Sequence, residues 1–391
     1  MPSDQSTWLV AVPQNGEAIG LYQELVTKLY QQCRLPARNI AELAIPSFKT
    51  GTLDSLISLS EELPKLDASF TATVAKIVDT LRNLLNNDPA KLVQHVRVEE
   101  QTIDHYLLTS WRWNERRYGA HKSLRDLVDA LSQEMASIDN MMKAKLSNYN
   151  LVKGSLVQMQ RKMTGNLSVR SLVDVVSKGD FIQDSEYLET ILVAVPRALI
   201  KDWNSKYERL TQYVVPRSAR KISSDDEFAL YNVVIFRRIH DEFIQKCREN
   251  KYIVRDFVYS EDEVERQRSD LDNADATEKE LWTELLRLSR VNFSESFQVF
   301  VHLKVLRLFV ESVLRFGLPA QYTGVIIKPE PKLTKKIFHT LQTQFAYLRP
   351  RSNYSKSLQS AENADFVGEY QSLLDQEFYD FVMFEVPWIV F

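Results

Sequence analysis

The hydrophobic pattern changes period several times along the chain. Trp8 to Val12 is an apolar run stopped by Pro13, which predicts a buried strand. A helical pattern follows from about Glu17 to Cys33. Ala41 to Ile45 predicts a second strand, stopped by Pro46. From Leu53 to Leu85 the pattern is mainly helical, with a break near Pro64; Ile77, Leu81, Leu84 and Leu85 share one face. Leu92 to Val98 alternates and predicts a strand. Tyr106 to Trp113 is apolar and aromatic and fits a strand or a short helix.

Two stretches repeat in the manner of heptads. In the first, Leu124, Val128, Leu131, Met135, Ile138 and Met142 are spaced 4, 3, 4, 3 and 4. Leu146, Tyr149, Val152, Leu156, Met159 and Met163 continue this seam, with Gly154 as a weak point and Gly165 as the stop. At about 1.5 Å per residue such a helix is roughly 60 Å long. The second seam runs through Val264, Leu271, Ala274, Leu281, Leu285 and Leu288. The helical pattern continues past Val313 to Gly317-Leu-Pro319, a helix-end signal. The acidic stretch from Glu261 to Glu280 reads as a solvated helix face.

Between the seams, Leu188 to Val195 predicts a strand, Arg197 to Leu210 a helix, and Gln212 to Val215 a strand. Phe228 to Phe236 predicts another strand, Arg237 to Asn250 a helix and Ile253 to Tyr259 a last strand. The order is β-α-β-β-α-β, the size of one small domain. After the second seam, Tyr322 to Lys328 predicts a strand and Leu333 to Phe345 a helix. Arg349 to Asp365 reads as a polar loop, Tyr370 to Glu377 as a short helix and Phe378 to Phe391 as a strand-like tail. No internal repeat or low-complexity tract stands out.

The expected fold class is mixed α/β (α+β) and elongated. A small α/β head (165–260) is inserted between two long antiparallel helices, 121–164 and 261–316. A larger α/β foot combines 1–120 with 317–391.

Composition narrows the function. The net charge is -3 over 391 residues, so no global positive field points to nucleic acid or anionic membrane. Two cysteines, Cys33 and Cys247, far apart in sequence, fit reduced thiols rather than a disulfide framework. No signal peptide and no membrane-spanning run are expected. Ten glycines is a low count, so glycine-dependent loops are expected to be few.

Catalytic chemistry finds little support. There is no GxxxxGK[ST] phosphate loop, no GxGxxG after a strand and no GxSxG elbow. No cofactor is expected. His240-Asp241-Glu242 splay about 100° apart per residue on a helix and do not converge on one ion. Asp225-Asp226-Glu227 fits an exposed turn better than a cation site. Lys328, Lys332, Lys335 and Lys336 form one weak basic cluster, and Arg349, Arg351 and Lys356 another. These read either as ordinary surface charge or as a docking patch for an acidic partner. Arg255, Phe257 and Tyr259 alternate onto one face of the last head strand and are candidates for partner contact. Packing of Phe257 and Tyr259 inside the head is the competing reading.

Several segments have a familiar order. They are Ile45-Pro-Ser-Phe-Lys-Thr-Gly-Thr-Leu-Asp-Ser-Leu56, Gly165-Asn-Leu-Ser-Val-Arg-Ser-Leu172, Ser185-Glu-Tyr-Leu-Glu-Thr190 and Leu192-Val-Ala-Val-Pro196. Val214-Val-Pro-Arg-Ser218, Val254-Arg-Asp-Phe-Val-Tyr259 and the long run from His302 to Pro319 follow. Together they resemble the C-subunit family of vacuolar-type proton-translocating ATPases (V-ATPases), almost end to end. The resemblance implies a non-catalytic peripheral-stalk component that joins the ATP-hydrolysing sector to the proton-conducting sector and is released on reversible disassembly. It implies a heterodimer of the V-ATPase E and G subunits as partner at head and foot, and the cytosolic part of the membrane-bound a-subunit at the foot. Some members bind actin, so an actin-tethering adaptor is the alternative function. The implied location is the cytosolic face of vacuolar and other endomembranes.

Overall fold

The computed structural model describes residues 2–14, 18–183, 185–257, 259, 261–348 and 379–389. Its elements are, in order, β1 (Ser6–Pro13), α1 (Ala18–Cys33), β2 (Ile40–Leu43), α2 (Leu53–Leu84), α3 (Pro89–His95), α4 (Ile103–His105) and α5 (Leu124–Thr164). Then come β3 (Leu188–Pro196), α6 (Ile200–Lys206), β4 (Arg220–Ser224), β5 (Phe228–Phe236), α7 (His240–Glu249) and β6 (Ile253–Arg255). The chain continues with α8 (Glu261–Phe316), β7 (Tyr322–Ile327), α9 (Thr334–Gln344) and β8 (Val382–Pro387). The fold is mixed α+β with two antiparallel sheets. The chain divides into two compact units: unit 1 is Met1–Lys145 with Leu285–Phe391, and unit 2 is Leu146–Glu284. Both boundaries fall inside helices, α5 and α8.

Unit 1 is built on a four-stranded sheet in the order β2-β7-β1-β8. β1 is central, with β7 and β8 antiparallel on either side. Both of its faces are covered, so Trp8 through Val12 are all buried, which is why the strand reads as a continuous apolar run. Trp8, Val10 and Val12 pack with Leu25, Leu29, Ile337 and Leu341 of α1 and α9. Gly324 on β7 lies against β2: a Cβ there would sit 2.5 Å from Leu43 O, a distance no side chain tolerates. The C-terminal half of α8 is a core helix, buried at most positions from Phe293 to Val310.

Unit 2 has a four-stranded antiparallel sheet in the order β4-β5-β3-β6. Ile191, Val193 and Val195 face Trp203, Phe243 and Cys247 of α6 and α7. Leu192 and Ala194 face the other way, onto Leu167, Leu172 and Val176.

The two sheets share one topology. In each, the first strand lies between the third and the fourth, and the second flanks the third. Each first strand carries the same five residues, Leu9-Val-Ala-Val-Pro13 and Leu192-Val-Ala-Val-Pro196. They occupy matching positions: Leu9 faces Phe384 on the fourth strand, and Leu192 faces Arg255. Both units are therefore β-α-β-β-α-β motifs. In unit 1, everything from α2 to α8, the whole of unit 2 included, is inserted between the second and third strands. This corrects the expectation that no internal repeat stands out.

Several local expectations also change. Leu92–Val98 is not a strand: Asp88 caps a helix by accepting from Ala90 N–H and Lys91 N–H, with Pro89 at its first turn. Pro64 does not break α2, which runs through it. Gln212–Val215 contributes only the isolated bridge of Val214 to Ile235, and the second strand of unit 2 is β4 instead. β4 is a polar edge strand, Arg-Lys-Ile-Ser-Ser, which a search for apolar runs passes over. Eight non-glycine residues among those described have positive φ, including Arg34, Glu99, Glu100 and Lys251. A low glycine count therefore leaves the left-handed turns to other residues. The expected helix at Tyr370–Glu377 lies outside the described residues.

Candidate partner-binding surfaces

The sequence candidates of unit 2 are not spread along one strand face. β6 ends at Arg255. The Arg255 guanidinium turns inward, donating to Leu167 O at 2.9 Å and Arg170 O at 2.7 Å. Burial lowers its pKa. Its role is to hold the 167–170 turn against the sheet. Phe257 and Tyr259 pack on Phe181, with ring centroids 6.0 and 5.5 Å away. The Asp225 carboxylate accepts from Leu167 N–H, Glu227 N–H and Phe228 N–H, which lowers its pKa and makes it a turn-former.

In unit 1, Lys328 follows β7, pairs with Asp104 and lies over the Trp388 ring at 5.2 Å. Lys332 is exposed at φ 73°. Arg349 and Arg351 lie outside the described residues, as does the whole of their expected loop to Asp365. The structure thus brings Lys328 into a contact network and does not join it to Lys332.

A charge cluster that periodicity could not show lies in the interior of unit 1. Asp67 on α2 accepts from Lys304 Nζ at 2.9 Å and from Arg307, both on α8. Asp67 and Lys304 are each about 8% exposed, and burial pulls the lysine pKa down. Arg307 also stacks over Phe384 of β8 at 4.2 Å, so the cluster ties α2, α8 and the sheet together. The charged residues of α8 sit inside an apolar run, and that mismatch is the signal that could have found them. Nearby, His302 packs among Trp111, Trp113 and Tyr118. Its Nε2 accepts from Asn114 N–H and its Nδ1 donates to Gln298 O. Burial pushes its pKa down to about 4, so it is neutral.

None of these groups makes a reactive constellation. Among the described residues no three His, Cys, Asp or Glu side chains could hold a metal ion. His240 pairs with Glu189 at 2.7 Å rather than with its sequence neighbours. The Cys247 thiol is buried and pushed up to about 12, the opposite of an activated nucleophile. No helix among the described residues is long and apolar enough to cross a membrane.

What the units do present is surface. In unit 2 a cavity of about 600 Å³ opens beside the start of β3, lined by Leu188, Glu189, Thr190, Arg237, Phe257 and Tyr259. Next to it Tyr187 is 67% exposed, and Arg238 stacks on the exposed Tyr213 at 3.5 Å. Aromatic and arginine side chains of this kind dominate protein interfaces.

Comparison with known proteins places the chain in one family. The family model for the V-ATPase C-subunit matches residues 7–382. The V-type proton ATPase C-subunit 1 of Xenopus tropicalis is 35% identical over 379 residues, 97% of each chain. The V-type proton ATPase C-subunit of Caenorhabditis briggsae is 36% identical over 87% of each chain. That of Manduca sexta is 35% identical over 88% of each. A solved structure of the cytoplasmic N-terminal domain of the V-ATPase I-subunit, a homolog of the a-subunit, aligns with 86% of this chain and 97% of its own. Its TM-score of 0.26 at 11% identity is too low to bear on fold or partner. The family match spans both units and nearly the whole chain: this protein belongs to the V-ATPase C-subunit family.

Proposed function

We propose that this chain is a non-catalytic peripheral-stalk component of a V-type proton ATPase. In this reading it links the ATP-hydrolysing sector to the proton-conducting sector and governs their reversible assembly on the cytosolic face of acidified organelles. The observation that carries the reading is one chain with two separately cored units, each built on its own sheet. Two attachment points on one molecule raise avidity through effective concentration, while each alone stays weak enough to release. Weakening one by about 3 kcal/mol lowers its occupancy about a hundredfold. The partners in this reading are heterodimers of the E and G subunits at both units, with the cytosolic part of the a-subunit at unit 1.

The test is made in cells lacking the chain. Both sectors should still be made but should sediment apart, with ATP hydrolysis uncoupled from proton pumping. Fully assembled, coupled complexes in its absence would overturn the reading.

A further inference from the structure

The shared topology of the two sheets exposes a difference at one corner. In unit 1 the fourth strand, β8, pairs with β1 over six residues, as far as Ser6 opposite Pro387. Trp388 then closes the corner, donating from its N–H to Gln5 O and from Nε1 to Thr7 Oγ1. Ser6 and Thr7 are 1% and 2% exposed. In unit 2 the fourth strand, β6, pairs with β3 over three residues only, from Ala194 to Leu192. The equivalents of Ser6 and Thr7 are Glu189 and Thr190, and both line the open cavity.

The missing length of strand leaves the backbone groups of Thr190 without a strand partner, while Leu188 N–H on the same side donates to Ser185 Oγ. Arg237 N–H donates to Tyr187 O, so Tyr187 and every second residue after it turn toward β5. Thr190 therefore turns its N–H and C=O to the other side, the open one. The register continued from β6 would set Phe257 opposite Thr190. Phe257 instead packs on Phe181, across the cavity. A gap remains between a strand edge and an aromatic wall.

Charge adds a preference. Arg237 lines the cavity with Lys178, Glu189 and Asp262, and of its two basic side chains Arg237 is the one at the strand edge, with no ion pair to a carboxylate within 4 Å among the described residues. Glu189 beside it is already engaged by His240. Asp241 and Glu242 stand in the first turn of α7, where the helix dipole favours carboxylates.

We propose that the open edge of β3 around Thr190 receives an extended segment of a protein partner. The segment adds to the unit 2 sheet as a short strand and brings an acidic side chain to Arg237. It supplies in trans what the longer β8 and Trp388 supply in unit 1, by the main-chain pairing through which sheet edges capture peptides. The inference rests on unit 2 being one of the two attachment points proposed above.

The test is amide hydrogen exchange on the full chain, free and mixed with the heterodimer of the E and G subunits. Exchange at Thr190 should slow at least tenfold in the complex. In Arg237→Glu, an exposed position whose change leaves the fold intact, Thr190 should keep its free-chain rate at heterodimer concentrations that protect it in the parent. If the complex forms and Thr190 exchanges as before, the strand-addition site is wrong and the stalk reading stands. If no complex forms at all, both fall together.

Discussion

Unit 1 and unit 2 are two solutions built on one motif. Their first strands share five identical residues, and their ladders run in the same order. They differ in how the sheet is finished. Unit 1 closes its corner with a long fourth strand and a tryptophan; unit 2 leaves the same corner open beside exposed aromatics. The difference teaches that the ladder order does not fix the accessible surface. A few residues at the end of one edge strand decide whether a sheet is sealed or available.

Three experiments press on this comparison. The largest effect is expected at Asp67. Asp67→Ala leaves Lys304 and Arg307 in the interior of unit 1 without their counter-ion, which costs about 3–5 kcal/mol. Denaturant titration should show this loss, and hydrogen exchange should confine it to unit 1. Equal loosening of unit 2 would mean that the units do not hold separate cores. Next is acid. His302 is neutral in the fold down to about pH 4, whereas in the unfolded chain it gains a proton near 6.5. Protons thus favour the unfolded chain across that interval. Stability contributed by His302 is full above about pH 6.5, falls as pH drops toward 4, and is level below. The loss totals roughly 3 kcal/mol. NMR titration of the His302 ring should place its midpoint near 4; a midpoint near 6.5 would show an open aromatic pocket. The smallest effect is Trp388→Ala, which opens the corner of unit 1 to resemble that of unit 2. About 2 kcal/mol should be lost, with faster exchange at Thr7. Unchanged exchange would show that strand length alone seals the corner.

Much of the fold is legible in the sequence, and the reasons differ by element. β1 and β3 are plain because strands buried on both faces leave unbroken apolar runs. The end of α8 is plain because Gly317 takes φ 78° with Pro319 beyond. β4 is hidden because an exposed edge strand needs no apolar residues. α3 is misread because Leu92 and Val96, buried four residues apart, also fit a short alternation. The repeated five residues are too few to signify until the strand registers align them. The candidate site is harder still. Arg255, Phe257 and Tyr259 are visible as types, but whether a side chain is spent inside or offered outside depends on where β6 stops.

The cysteines give this protein a reporter of its own. Cys33 lies in the core of unit 1, against Thr340 Oγ1, and Cys247 in the core of unit 2. There is one thiol to each unit and none elsewhere. Neither reacts while its own unit stays shut, so a thiol reagent followed by peptide mapping times the opening of each unit separately, without any change to the sequence.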